Sequence, residues 1–107
     1  MYLDKFFNPQ SIAIIGATED PQNITSTIIK NLFEMGFKGR VLPVNPHHDK
    51  VFGLKCYSSL LDIKEKVDLS VIAISSNHVL DILEQHIGSG IKNSIIISSG
   101  FAEIGNK

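Results

Sequence analysis

SIAIIG (Ser11–Gly16), followed by ATEDPQN (Ala17–Asn23) and ITSTIIKNLFEMG (Ile24–Gly36), decides the fold. Ile12, Ala13, Ile14 and Ile15 form an unbroken apolar run, the mark of a strand covered on both faces and hence of a parallel sheet. Ile24, Ile28, Ile29, Leu32 and Phe33 then recur at helical spacing, with Lys30, Asn31 and Glu34 on the other side and Gly36 as the stop. Between strand and helix, Gly16 permits a sharp turn, and the helix aims N–H groups and the positive end of its dipole at the same point. The pattern predicts a strand–loop–helix that cradles phosphate.

Working outward, Leu3, Phe6 and Phe7 read as a lead-in packed beneath the first strand, ended by Asn8-Pro9. After Phe37-Lys38-Gly39, the residues Arg40 to Asn45 give a second strand and complete a right-handed β-α-β unit. Phe52 to Tyr57 is expected to be a short edge strand weakened by Gly53, and Leu60, Leu61 and Ile63 a brief helix. Asp68 to Ile74 (DLSVIAI) is a further strand buried on both faces. Ser76-Asn77 caps a helix with Val79, Ile82, Leu83, His86 and Ile87 on its inner side, and Ser94 to Ser99 is the last strand. The fold class is therefore α/β, a Rossmann-like doubly wound parallel sheet in the order 3-2-1-4-5, with a short third strand. Ligands in such sheets bind at the carboxyl ends of the strands flanking the reversal of order. The loops Gly16 to Asn23, Asn45 to His48, Ser75 to Asn77 and Ser98 to Phe101 converge there. Ile95, Ile96 and Ile97 call for cover on both sides, and the expectation is a domain truncated after its last strand or completed by a partner.

Composition narrows the function. The chain has 107 residues, 43% hydrophobic and 20% charged, which fits one globular domain and no membrane-spanning segment. The N-terminus lacks a signal peptide pattern, so the expected location is cytoplasmic. With a net charge of −1 and scattered Lys and Arg, there is no electrostatic footprint for nucleic acid. Cys56 is the single cysteine and reads as a packed thiol. His47 and His48 are adjacent, and His78 and His86 are spaced beyond the i, i+4 metal pair, so no metal site is expected. Asp4, Glu19 and Asp20 have no evident acid–base partner, and no catalytic residue is assigned.

A dinucleotide is the default ligand of this architecture, yet G-x-G-x-x-G is missing: Gly16 is followed by Ala17, Thr18 and Glu19. Asn45 stands where an acidic residue would grip the ribose, and no Gly-Lys-Ser/Thr follows for a Walker-type loop.

LDKFFNPQSIAIIGAT (Leu3–Thr18), GFKGRVLPVNP (Gly36–Pro46), GLKCY (Gly53–Tyr57), VDLSVIAI (Val67–Ile74) and IIISSGFAEIG (Ile95–Gly105) together resemble the CoA-binding domain of NDP-forming acyl-CoA synthetases. That family includes the ADP-forming acetyl-CoA synthetases and is similar to the α subunit of succinyl-CoA synthetase. The resemblance implies that residues 1–107 bind CoA or acyl-CoA as a substrate, without turning over alone. Downstream phosphohistidine and ATP-grasp domains would interconvert acyl-CoA, ADP and phosphate with acid, CoA and ATP. By the same resemblance, Gly16, Ala17 and Thr18 meet the CoA phosphates, the Thr18 hydroxyl serving either a phosphate oxygen or the turn itself. Asn45 and Pro46 border the adenosine, Ile74 and Ser75 line the base or pantetheine, and Ser98, Ser99 and Gly100 come near the thiol. Three positions depart from the family pattern: Thr25 replaces a glycine, Ser75 a proline, and His47 a lysine suited to the 3′-phosphate, with His48 and Lys50 as neighbouring positive groups. The alternatives are a stand-alone CoA-responsive regulatory module and an NAD(P)-binding Rossmann domain.

Overall fold

The computed structural model describes residues 8–74, 88, 90, 91 and 93–98. Among them lie β1 (Ser11–Ile15), α1 (Ile24–Glu34), β2 (Arg40–Val44), β3 (Lys50–Val51), β4 (Leu54–Lys55), a 3-10 turn (Leu60–Asp62), β5 (Leu69–Ile74) and β6 (Ser94–Ser98). Four strands form one sheet in the order β2-β1-β5-β6. All three pairings are parallel, with Ile12 opposite Val41 on one side and Leu69 on the other. This is the Rossmann-like α/β arrangement expected, with the reversal between β1 and β5. The lead-in segment and the helix expected over residues 77–87 lie outside the described residues.

β1 is buried along its whole length, and its alternation divides the core. Ile12 and Ile14 join Ile29 of α1, Val41, Leu69 and Val71 on one face. Ala13 and Ile15 join Leu42, Val44, Leu60 and Ile72 on the other. Fully burying such an aliphatic side chain contributes about 1.5–3 kcal/mol, so β1 carries a large share of the core.

α1 begins at Asn23, whose extended backbone and side-chain acceptor for the Thr25 N–H make it an N-cap. It ends with the Gly36 N–H on Phe33 O and the Phe37 N–H on Leu32 O, a Schellman arrangement requiring the left-handed φ of +75° that Gly36 supplies. Its buried stripe differs from the expected one. Thr25, Ser26 and Ile29 are buried and Ile28 and Leu32 partly so, whereas Ile24 and Phe33 are exposed at 46% and 48%. Small residues in the first turn bring that end of the helix close to β1; apolar periodicity alone overlooked Thr25 and Ser26.

The third strand of the order is reduced to one residue. Tyr57 makes a single parallel bridge to Val44, donating its N–H to Pro43 O and accepting from the Asn45 N–H. Pro43 explains the brevity: its carbonyl faces this outer edge, so its nitrogen does too, and a proline has no N–H to extend the ladder. The residues ahead of Tyr57, expected to be strand, instead form the antiparallel β3–β4 hairpin. Its two-residue turn places Phe52 at φ +51° and Gly53 at φ +79°, the pair of left-handed conformations typical of tight hairpins.

Candidate functional site

Gly16 leaves β1 at φ +84°, a backbone conformation that a side chain disfavours. Its N–H and that of Ala17 both donate to Val44 O, at 2.8 and 3.2 Å, so the loop is laced to the end of β2. The Thr18 N–H donates to Thr25 Oγ1 at 3.2 Å, and Thr25 Oγ1 in turn lies 2.7 Å from Asn23 Oδ1. These backbone donors, expected to face a ligand, therefore have acceptors within the chain. Left turned outward are the Thr18 hydroxyl, whose oxygen already accepts from the Asp20 N–H, and the positive end of α1. Thr25 is wholly buried and shapes the loop from beneath.

Asn45 joins the two loops. Its Nδ2 donates to Ala17 O at 2.9 Å, and its Oδ1 accepts from the His47 N–H at 2.9 Å. An aspartate would lack the donor and could not make the bond to Ala17 O. Pro46, His47, His48 and Lys50 follow on the exposed side of the same loop. Cys56 packs under it, its Sγ donating to Asn45 O at 3.6 Å. Burial pushes this thiol above the ordinary thiol range, and the nearby Asp49 carboxylate pushes the same way.

Ile74 and Ser98 are the last residues of β5 and β6 and stand opposite each other in register. The ends of β1, β2, β5 and β6 thus bring Gly16, Ala17, Thr18, Asn45, Ile74 and Ser98 to one edge of the sheet. Ser75, Ser99 and Gly100 lie outside the described residues. The two acidic side chains of the loop are both engaged: Asp20 Oδ1 accepts from the Gln22 N–H, and Glu19 Oε2 accepts from the Phe52 N–H at 2.6 Å. The second contact was missed in the sequence. The signal for it was the Phe52-Gly53 pair, two residues between Lys50-Val51 and Leu54-Lys55, which is hairpin spacing.

A family model described as "CoA binding domain" matches residues 10–104. The chain belongs to the CoA binding domain family. This CoA binding domain is 42% identical over 105 residues to acetate–CoA ligase [ADP-forming] II of Archaeoglobus fulgidus, covering 98% of the chain and 16% of that ligase. Among solved structures, a dinucleotide-forming acetyl-coenzyme A synthetase 1 of Ca. Korarchaeum cryptofilum, in complex with phosphate and ADP, superposes with a TM-score of 0.87 at 44% identity. That match covers 100% of this chain and 23% of the synthetase. A conserved hypothetical protein of Pyrococcus furiosus matches with a TM-score of 0.74 at 32% identity, over 82% of this chain and 74% of its own. The domain therefore spans less than a quarter of the ligase and the synthetase, and most of the shorter protein.

Proposed function

We propose that this domain holds coenzyme A as the substrate-binding part of an ADP-forming acyl-CoA synthetase. The observation that carries the reading is the keyed pair of loops, Gly16–Thr18 fastened by Asn45, in a chain of the CoA binding domain family. The pyrophosphate of CoA fits against Gly16 and Thr18, where the left-handed glycine keeps the backbone low, with the Thr18 hydroxyl as donor, the α1 dipole behind it and the buried Ala17 supporting the turn from within. Thr25 holds Thr18 in place. Asn45 and Pro46 border the adenosine, and His47, with His48 and Lys50 alongside, takes the 3′-phosphate. Ile74 and Ser75 line the base or pantetheine, and Ser98, Ser99 and Gly100 lead the thiol towards the reacting centre. The domain binds and orients. Acyl and phosphoryl transfer belong to phosphohistidine and ATP-grasp parts, consistent with its small share of the ligase's length.

Calorimetric titration with CoA, dephospho-CoA, NAD and ATP tests the reading. CoA binds, dephospho-CoA binds more weakly, and NAD and ATP do not. Gly16→Val, strained at this left-handed position, lowers the urea midpoint and abolishes CoA binding under conditions where circular dichroism shows the protein still folded; retained affinity would put the cradle elsewhere. A second reading, a stand-alone CoA-responsive module, is favoured by the short Pyrococcus furiosus protein, of which the match covers 74%. A gene for a phosphohistidine domain adjoining this one decides between them.

A further inference from the structure

The turn of the β3–β4 hairpin is built with a residue that the turn itself does not favour. Both central positions are left-handed, and Asn-Gly is the usual solution, yet the first is Phe52 at φ +51°. Three contacts hold it there. Its N–H donates to Glu19 Oε2 at 2.6 Å, its ring lies 5.7 Å from the Lys30 ammonium, and it packs against the core cluster of Ile29 and Val51. The contacts come from the phosphate loop, the outer side of α1 and the core. Glu19 is an acid on a loop suited to anions, and its carboxylate is engaged by the hairpin.

We infer that Glu19, Lys30 and Phe52 form a clamp that fixes the β3–β4 hairpin to the loop after β1. The clamp fixes where Glu19 and its neighbours in the loop stand relative to the hairpin, beyond the point where Asn45 fastens Ala17. Glu19 is a positioning residue: it touches no ligand and acts through Phe52. The link to ligand affinity rests on the CoA reading above, whereas the clamp itself can be read without ligand.

The test uses the 107-residue chain with Glu19→Ala, Glu19→Gln and Phe52→Asn. Exchange of the Phe52 amide is followed by NMR without ligand, and CoA affinity by calorimetry. Glu19→Ala speeds Phe52 exchange and weakens CoA binding about tenfold, the lower end of the scale of one hydrogen bond to a charged group. Glu19→Gln keeps an acceptor oxygen and restores most of both. Phe52→Asn gives a better turn, so the protein stays folded while CoA affinity falls. The opposite direction overturns the inference: a Glu19→Ala protein that binds CoA as tightly as the parent, or more tightly, identifies Glu19 as a mere source of repulsion towards phosphate. Unchanged Phe52 exchange in Glu19→Ala overturns it equally. If the parent chain binds no CoA, the CoA reading fails by itself, and the exchange rates still decide whether the clamp exists.

Discussion

Asn45 is the residue that fastens the loop after β1 to the loop after β2, because one amide group serves both loops at once. Its Nδ2 restrains Ala17 O and its Oδ1 restrains the His47 N–H, so replacing it with an acid keeps one bond and sets a carboxylate against a carbonyl in place of the other. Asn45→Asp should lower stability by about 1–3 kcal/mol in urea titrations and weaken CoA binding at least tenfold, without creating affinity for NAD. Cys56 gives a prediction with a definite sign. Its thiol pKa is raised in the fold by burial and by Asp49, so the folded state retains the thiol proton at a pH where the unfolded chain has lost it. The stabilisation is complete below the ordinary thiol range and is lost as the pH rises through that range towards the raised value. Urea midpoints of the parent should therefore fall with alkaline pH more steeply than those of Cys56→Ala. Alkylation of Cys56 in the native protein at neutral pH should be slow, as expected of a protonated, buried thiol.

Elements were legible in the sequence wherever one physical signal dominated. The uninterrupted Ile12–Ile15 run could only be a doubly covered strand, and β5 followed from Leu69, Val71 and Ile72 by the same reasoning. Gly36 marked the end of α1 because its left-handed backbone lets the last carbonyls find donors, whereas the capping role of Asn23 emerged only in the structure. Legibility failed where two roles compete in one side chain. Thr25 and Ser26 look polar but are buried for their small size, and Pro43 sits inside an apolar run while its missing N–H silences the outer edge of β2. Of the candidate site, the strand ends carrying Gly16 and Asn45 could be read, but not the lacing of Gly16, Ala17 and Thr18, since their acceptors come from Val44 and Thr25. Gly39 is the sharpest test at this scale. A Cβ there would lie 2.3 Å from Gln10 O, the carbonyl that also accepts the Arg40 N–H at the start of the β1–β2 ladder. Gly39→Ala should destabilise by about 1–3 kcal/mol or more, seen as a lower urea midpoint with an unchanged slope.

At the scale of the molecule, the four-stranded sheet acts as a frame that holds distant loops at one edge, so a ligand spanning that edge stabilises the whole. CoA at a hundred times its dissociation constant adds about 2.7 kcal/mol, which raises the melting temperature of a domain this size by on the order of 10 °C, while NAD leaves it unchanged. Scanning calorimetry of the 107-residue chain measures this directly. The central position of β1 also has a consequence in time. Although β1 is early in the chain, it is flanked on one side by β2 and on the other by β5, and the bond from the Gln10 N–H to Asp68 Oδ2 joins residues 58 positions apart. On the ribosome, the β1–α1–β2 unit emerges as a half-built sheet whose most apolar strand has one open flank. That flank closes only when the segment carrying Leu69 and Val71 has left the exit tunnel, so nascent-chain protection of Ile12 and Ile14 should appear late and abruptly.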